Sequence, residues 1–104
     1  MGEYNPELEE GVGSEVGKEL KEPAMYKVLL LNDDYTAMDF VVEVLRFVFH
    51  KSVEDATQIM LNVHLNGVGL CGIYTYEAAE TKINTTEALA RERGFPLKCT
   101  IERE

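Results

Sequence analysis

Where an apolar run stops, three acceptor side chains stand together: Asn32, Asp33 and Asp34 directly follow Val28-Leu29-Leu30-Leu31. A carboxamide and two carboxylates accept several hydrogen bonds at once, and no lysine or arginine falls between Lys27 and Arg46 to neutralise them. Such a cluster suits a ligand rich in donors, of which an ammonium group with its three N–H bonds is the simplest. Further along, Met60, Val63 and His64 lie at i, i+3 and i+4, so a helix there would carry two apolar side chains and an imidazole on one face. If that face met the Asn-Asp-Asp rim, the site would be half apolar and half acceptor. Asn32, Asp33 and the neutral imidazole of His64 could hold an ammonium, with Met38, Val41, Met60, Val63 and Leu97 walling an apolar hole beside it. The residues alone leave a second reading open for His64, a histidine facing the last carbonyls of its helix. For Asp34 and Thr36 that second reading is turn and cap chemistry.

The elements that must position these groups are legible from periodicity. Met25 to Asn32 reads as a strand, short, apolar and closed by a polar cluster. Thr36-Ala37-Met38-Asp39 resembles a capping box, with Thr36 as the cap and Asp39 reaching back, and apolar residues at 38, 41, 42, 45, 48 and 49 predict a helix over 38–49. Ser52-Val53-Glu54-Asp55 starts a second helix, marked by Val53, Ala56, Ile59, Met60 and Val63 and ending before Asn66-Gly67. Val68 to Thr75 reads as a second strand; Thr75 caps a third helix that stops at Gly94-Phe95-Pro96; Leu97 to Ile101 closes as a third strand. The order is βααβαβ, an α+β single domain with a small three-stranded antiparallel sheet packed against helices on one side. A chain of 104 residues has room for one such core.

Composition narrows the functions. The net charge of −9 argues against nucleic acid and against anionic membranes, and favours a basic protein surface as partner. Residues 1–22 hold seven acids against Lys18 and Lys21, a balance of −5, with glycines at 11, 13 and 17. This reads as a flexible acidic extension ahead of a folded domain at 23–104. No run of eighteen apolar residues crosses a membrane, and Met1-Gly2-Glu3 has no targeting character, so a cytoplasmic protein is expected. Cys71 and Cys99 fall inside apolar segments without metal spacing and read as buried thiols. Gly67-Val68-Gly69-Leu70-Cys71-Gly72 spells a dinucleotide fingerprint, but a helix precedes it and a strand contains it, the reverse of what that motif needs. Asp33 and Asp34 have only Asn32 and Asp39 nearby in sequence to complete the oxygen shell of a divalent-metal site. Neither cofactor nor metal is expected.

Taken in order, Met25 to Thr36 with its Asn32-Asp33-Asp34, then Met38, Ala56-Thr57-Gln58-Ile59-Met60-Leu61 with Val63-His64, Cys71-Gly72, Ala79-Glu80-Thr81-Lys82 and Pro96-Leu97 resemble the ClpS adaptors of bacterial ATP-dependent proteolysis. The resemblance covers residues 23–104. It implies a non-enzymatic adaptor that recognises proteins with a large hydrophobic N-terminal residue (Leu, Phe, Tyr or Trp) and delivers them to the ClpA unfoldase of the ClpAP protease. By motif match it implies that Asn32, Asp33 and His64 hold the substrate's α-amino group. Asp34, Thr36, Met38, Val41, Met60, Val63 and Leu97 would shape the pocket for its first side chain, with Met38 turning away β-branched residues. Glu77, Thr81 and Lys82 on the third helix would dock on the unfoldase. Ala37 stands where many members carry proline, and residues 65–70 also depart from the family pattern. Two other classes compete: a small hydrolase pairing Asp33 or Asp34 with His64, and a purely structural interaction domain like the C-terminal domain of the ribosomal stalk protein, which shares the fold.

Overall fold

The computed structural model describes residues 22–104. The acidic extension read from the sequence therefore lies, but for Glu22, outside the described residues. Six elements follow one another: strand β1 (Met25–Leu31), helices α1 (Met38–Phe47) and α2 (Val53–Asn66), strand β2 (Val68–Thr75), helix α3 (Tyr76–Arg93) and strand β3 (Lys98–Arg103). The sheet is antiparallel with β1 in the centre, in the order β2-β1-β3. This is the expected βααβαβ arrangement.

Alternation along the strands decides the two faces of the sheet. Val28 and Leu30 of β1 are fully buried and form the core with Phe40, Val44 and Leu45 of α1, Ala56 and Val63 of α2, Cys71 of β2, and Ala79 and Ala90 of α3. The opposite face carries Val68, Leu70 and Ile73, all exposed. The register shifts between Val28 and Leu29, where Gly72 pairs with Val28 and Leu70 with Leu29, so Cys71 is the extra residue of a β-bulge. Gly69 lets this strand approach α2 closely. A Cβ there would stand 2.6 Å from Val63 Cγ2 and 3.2 Å from the Ile59 carbonyl.

The ends of the helices follow local chemistry. Ser52 Oγ accepts from the Asp55 N–H at 3.0 Å and Thr75 Oγ1 from the Ala78 N–H at 3.4 Å, so both caps read from the sequence are in place. Gly67 and Gly94 close α2 and α3 at φ of 89° and 76°, where a side chain would be strained. The capping box expected for α1 is not formed. Ala37 is its N-cap, without any side-chain bond, and the Thr36 hydroxyl turns to Asp33 instead. Helix α1 also stops at Phe47, two residues short of the expectation, because His50 turns left-handed (φ 59°) and Lys51 N–H returns to the Leu45 carbonyl at 3.0 Å. Phe49 is still buried, from the turn after the helix. Strand β3 runs later than expected, from Lys98 rather than Leu97 and on to Arg103.

Candidate functional site

At the C-terminal end of β1 the chain leaves the sheet and turns sharply, and Asp33 builds that turn. Its Oδ1 accepts the N–H groups of Tyr35 at 2.8 Å and Thr36 at 2.7 Å, and its Oδ2 accepts the Thr36 hydroxyl at 2.8 Å. The sequence assigned turn chemistry to Asp34 and Thr36; the carboxylate that closes the turn is Asp33, while Asp34 is exposed and makes no such bond. Partial burial pushes the Asp33 carboxyl up, but the hydrogen bonds from the Thr36 hydroxyl and from the two backbone N–H groups outweigh it. The net direction is below the ordinary carboxylate value, and the group is an anion at neutral pH. A carboxylate offers about four lone-pair sites, and three are occupied here. Asp33 is thus a fixed negative charge with one acceptor position to spare.

The turn after α2 is fastened to the same place. The Asn32 N–H donates to the Gly67 carbonyl at 2.9 Å, and the Gly67 N–H to the Val63 carbonyl at 2.9 Å. These two bonds draw the last turn of α2, with Val63 and His64, against the end of β1. The start of α1 closes the third side with Met38 and Val41, and Leu97, buried just before β3, supplies the floor. The result is a cleft of about 200 Å³ lined by Leu31, Asn32, Asp33, Asp34, Thr36, Met38, Val41, Met60, Val63, His64 and Leu97. All ten residues expected to meet a ligand line this one cleft. Leu31 is the addition; it had been read only as strand core, and its place at the last position before the rim was the available signal.

The cleft has two kinds of wall. Asn32, Asp33 and His64 present acceptors and a negative charge, whereas Val41, Met60, Val63 and Leu97 are apolar, with Met38 partly exposed at the mouth. Walls of these two kinds suit an apolar group attached to a donor-rich cationic one. Among the described residues no group of three or more His, Cys, Asp and Glu side chains is arranged to hold a metal ion.

Comparison with known proteins fits this geometry. The family model for the ATP-dependent Clp protease adaptor protein ClpS matches residues 21–100. The chain belongs to the ClpS family. Among its relatives, the ATP-dependent Clp protease adapter protein ClpS of Maricaulis maris is 57% identical over 99 residues, which is 93% of this chain and 91% of that one. The ClpS of Desulforapulum autotrophicum is 56% identical over 104 residues, the whole of both chains. The structure of Agrobacterium tumefaciens ClpS2 bound to L-phenylalaninamide superposes with a TM-score of 0.77 at 41% identity, covering 80% of this chain and 100% of that one. The function class is therefore an adaptor of the Clp protease.

The three residues that the ClpS resemblance pointed to on α3 do not share one face. Glu77 and Thr81 are exposed one turn apart. Lys82 points the other way: its ammonium donates to the Val48 carbonyl at 2.8 Å, at the end of α1, and lies 5.3 Å from the Tyr74 ring centre and 5.9 Å from that of Phe49. Spacing alone could not show this, because the acceptor lies 34 positions away. The α3 N-terminus sits beside Met25, which pairs with Thr75, so Glu77 lies toward the end of the sheet opposite the cleft. No helix among the described residues is long and apolar enough to cross a membrane.

Proposed function

We propose that this ClpS adaptor binds proteins through a free N-terminal residue that is large and hydrophobic (Leu, Phe, Tyr or Trp) and delivers them to a ClpA-type AAA+ unfoldase, performing no chemistry itself. The observation that carries the reading is the two-walled cleft, acceptors and charge at one end and aliphatic and thioether surface at the other. Its structural relative was solved with L-phenylalaninamide, a ligand with an α-amino group next to an aromatic side chain. An α-amino group has a pKa near 8 and is mostly charged at pH 7, so its three N–H bonds can go to Asn32, Asp33 and His64 together. Charge-assisted bonds of roughly 1.5–3 kcal/mol each and a buried side chain of roughly 1.5–3 kcal/mol exceed the ordering cost moderately, which places affinity near the micromolar range, on the order of −8 kcal/mol.

The hydrolase reading has less support. A general base works best with a pKa near the operating pH, and Asp33 is held in the other direction by the turn it closes. A purely structural domain would leave the charged rim without use. Calorimetric titration with peptides that differ only at the first residue tests the proposal. Leu-, Phe-, Tyr- and Trp-initiated peptides should bind, and N-acetylation of the Leu peptide should abolish binding, since it removes the charge that Asp33 would face. An acetylated peptide that bound within about threefold of the free amine would remove the assignment of Asn32, Asp33 and His64.

A further inference from the structure

We propose, on the basis of the function given above, that the cleft reads the charge beside an amino group as well as the amino group itself: it accepts primary amines that carry a bulky apolar substituent, including amino-acid amides and the amines left when Leu or Phe is decarboxylated, and it refuses the free amino acids. The observation behind this is the sign of the wall that faces the ammonium. Asp33 and Asp34 both line the cleft, and its lining contains neither lysine nor arginine. Asp33 is not free to turn aside, because both of its oxygens are held, Oδ1 by the Tyr35 and Thr36 N–H groups and Oδ2 by the Thr36 hydroxyl. Two features of this end of the molecule could have offered an anion a partner. Lys98 pairs with Leu31 at the end of β1, but it is exposed and outside the lining. The N-terminus of α1 carries Asp39 in its first turn, so the positive end of that helix already has an anion beside it.

In an amino acid the carboxyl carbon stands two bonds from the amino nitrogen. An ammonium seated on Asp33 therefore brings the carboxylate of a free amino acid to about 5 Å from the Asp33 charge, where like charges repel even beside water. In a protein N-terminus or an amino-acid amide the same carbon is a neutral amide carbonyl, and the N–H bonds of the Asn32 carboxamide are donors suited to it. A simple amine has nothing at that position and loses only this contact. The discrimination is thus a charge set against the wrong ligand. Its consequence is a cleft kept clear of free Leu and Phe, which carry the same side chains as the cargo, and open to competition from the corresponding amines.

The test is displacement of a Leu-initiated peptide, labelled at its C-terminal end, from the full chain at pH 7 by L-leucine, L-leucinamide and 3-methylbutylamine, which share one side chain and differ only in what stands beside the amino group. All three keep a largely charged amine at that pH. L-Leucinamide and 3-methylbutylamine are expected to displace the peptide within about tenfold of each other, and L-leucine to be at least about 30-fold weaker than the amide. Raising the salt to about 1 M, where the screening length falls to about 3 Å, is expected to narrow that ratio by about threefold or more, and so is Asp34→Asn at its exposed position. L-Leucine equal to the amide overturns the proposal. So does 3-methylbutylamine as weak as L-leucine, since the missing carbonyl and not the charge would then set the loss, and so does a ratio indifferent to both salt and Asp34→Asn. A chain that binds the peptide but fails these comparisons keeps the proposed function; one that binds neither peptide nor amide loses that function and this ligand class together.

Discussion

Asp33 does two things with one carboxylate: it closes the turn after β1 and supplies the negative charge of the cleft. Because its hydrogen bonds hold the folded-state value below the ordinary one, the stability it contributes is present above the unfolded value near 3.9 and is lost as pH falls through the lower folded value. Between pH 5 and 8 the charge does not change. Asp33→Asn should therefore weaken binding of a Leu-initiated peptide by about 10- to 100-fold at every pH in that window, and lower stability by about 1–2 kcal/mol through the weakened turn bonds. Titrations at three pH values and a urea melt measure the two effects. A loss of affinity that appeared only at one end of the window would point to a different titrating group. Met38 poses a steric question. It stands partly exposed at the mouth, and Met38→Ala should admit peptides that begin with Val or Ile while leaving Leu peptides bound. A variant that still rejected Val and Ile would show that the exclusion arises deeper in the cleft.

The elements matter through their junctions. Gly69 lies on β2 outside the cleft, yet its missing Cβ is what allows Val63, a lining residue, to sit where it does. Gly69→Ala should push α2 away from β2, cost about 1–3 kcal/mol, and weaken peptide binding although no ligand contact is altered. Thermal melts and peptide titration on the same sample check both; unchanged affinity would mean that α2 shifts without moving Val63. The same junctions explain what the sequence could disclose. Strand and helix periods, the Ser52 and Thr75 caps and the two glycine stops are local, and each was readable. The lining of the cleft was readable because Asn32-Asp33 and Met60-Val63-His64 are short local patterns. The choice among acceptors was not readable: Thr36 was expected to cap α1 and donates instead to Asp33 three residues before it, and Lys82 reaches the end of α1 across 34 positions. A hydroxyl has several local acceptors to choose from, and an ammonium on a long stem reaches partners that only the folded chain brings near.

On the scale of the whole molecule, the cleft lies at one end of β1 and the start of β1 and the C-terminal residues at the other. Arg103 pairs with Tyr26 and the Glu104 N–H donates to the Met25 carbonyl at 2.9 Å, so β1 begins where the chain ends, while the cleft forms where β1 finishes. Among the described residues the elements all begin at Met25 or later, and residues 1–22 carry a balance of −5. Removing residues 1–21 should leave the thermal midpoint and peptide affinity nearly unchanged, yet sharply reduce unfoldase-dependent degradation of a Leu- or Phe-initiated protein. Binding and degradation measured side by side decide it: lost affinity would place the segment at the cleft, and normal degradation would make it dispensable.

The central place of β1 also sets how the molecule bears load. Traction applied to the N-terminal segment runs along the axis of the one strand that is bonded on both sides, so the ladders to β2 and β3 resist together, in shear, and must slip as a set before the chain can be drawn out. Traction on the C-terminus acts on an edge strand that a single ladder holds. The topology predicts greater resistance to a pull along β1 than to one along β3, because two ladders hold the first and one the second. A pull from the N-terminal side is carried the length of β1 to Asn32 and Asp33 at its far end, so such a load would reach the rim of the cleft before it unravelled the sheet.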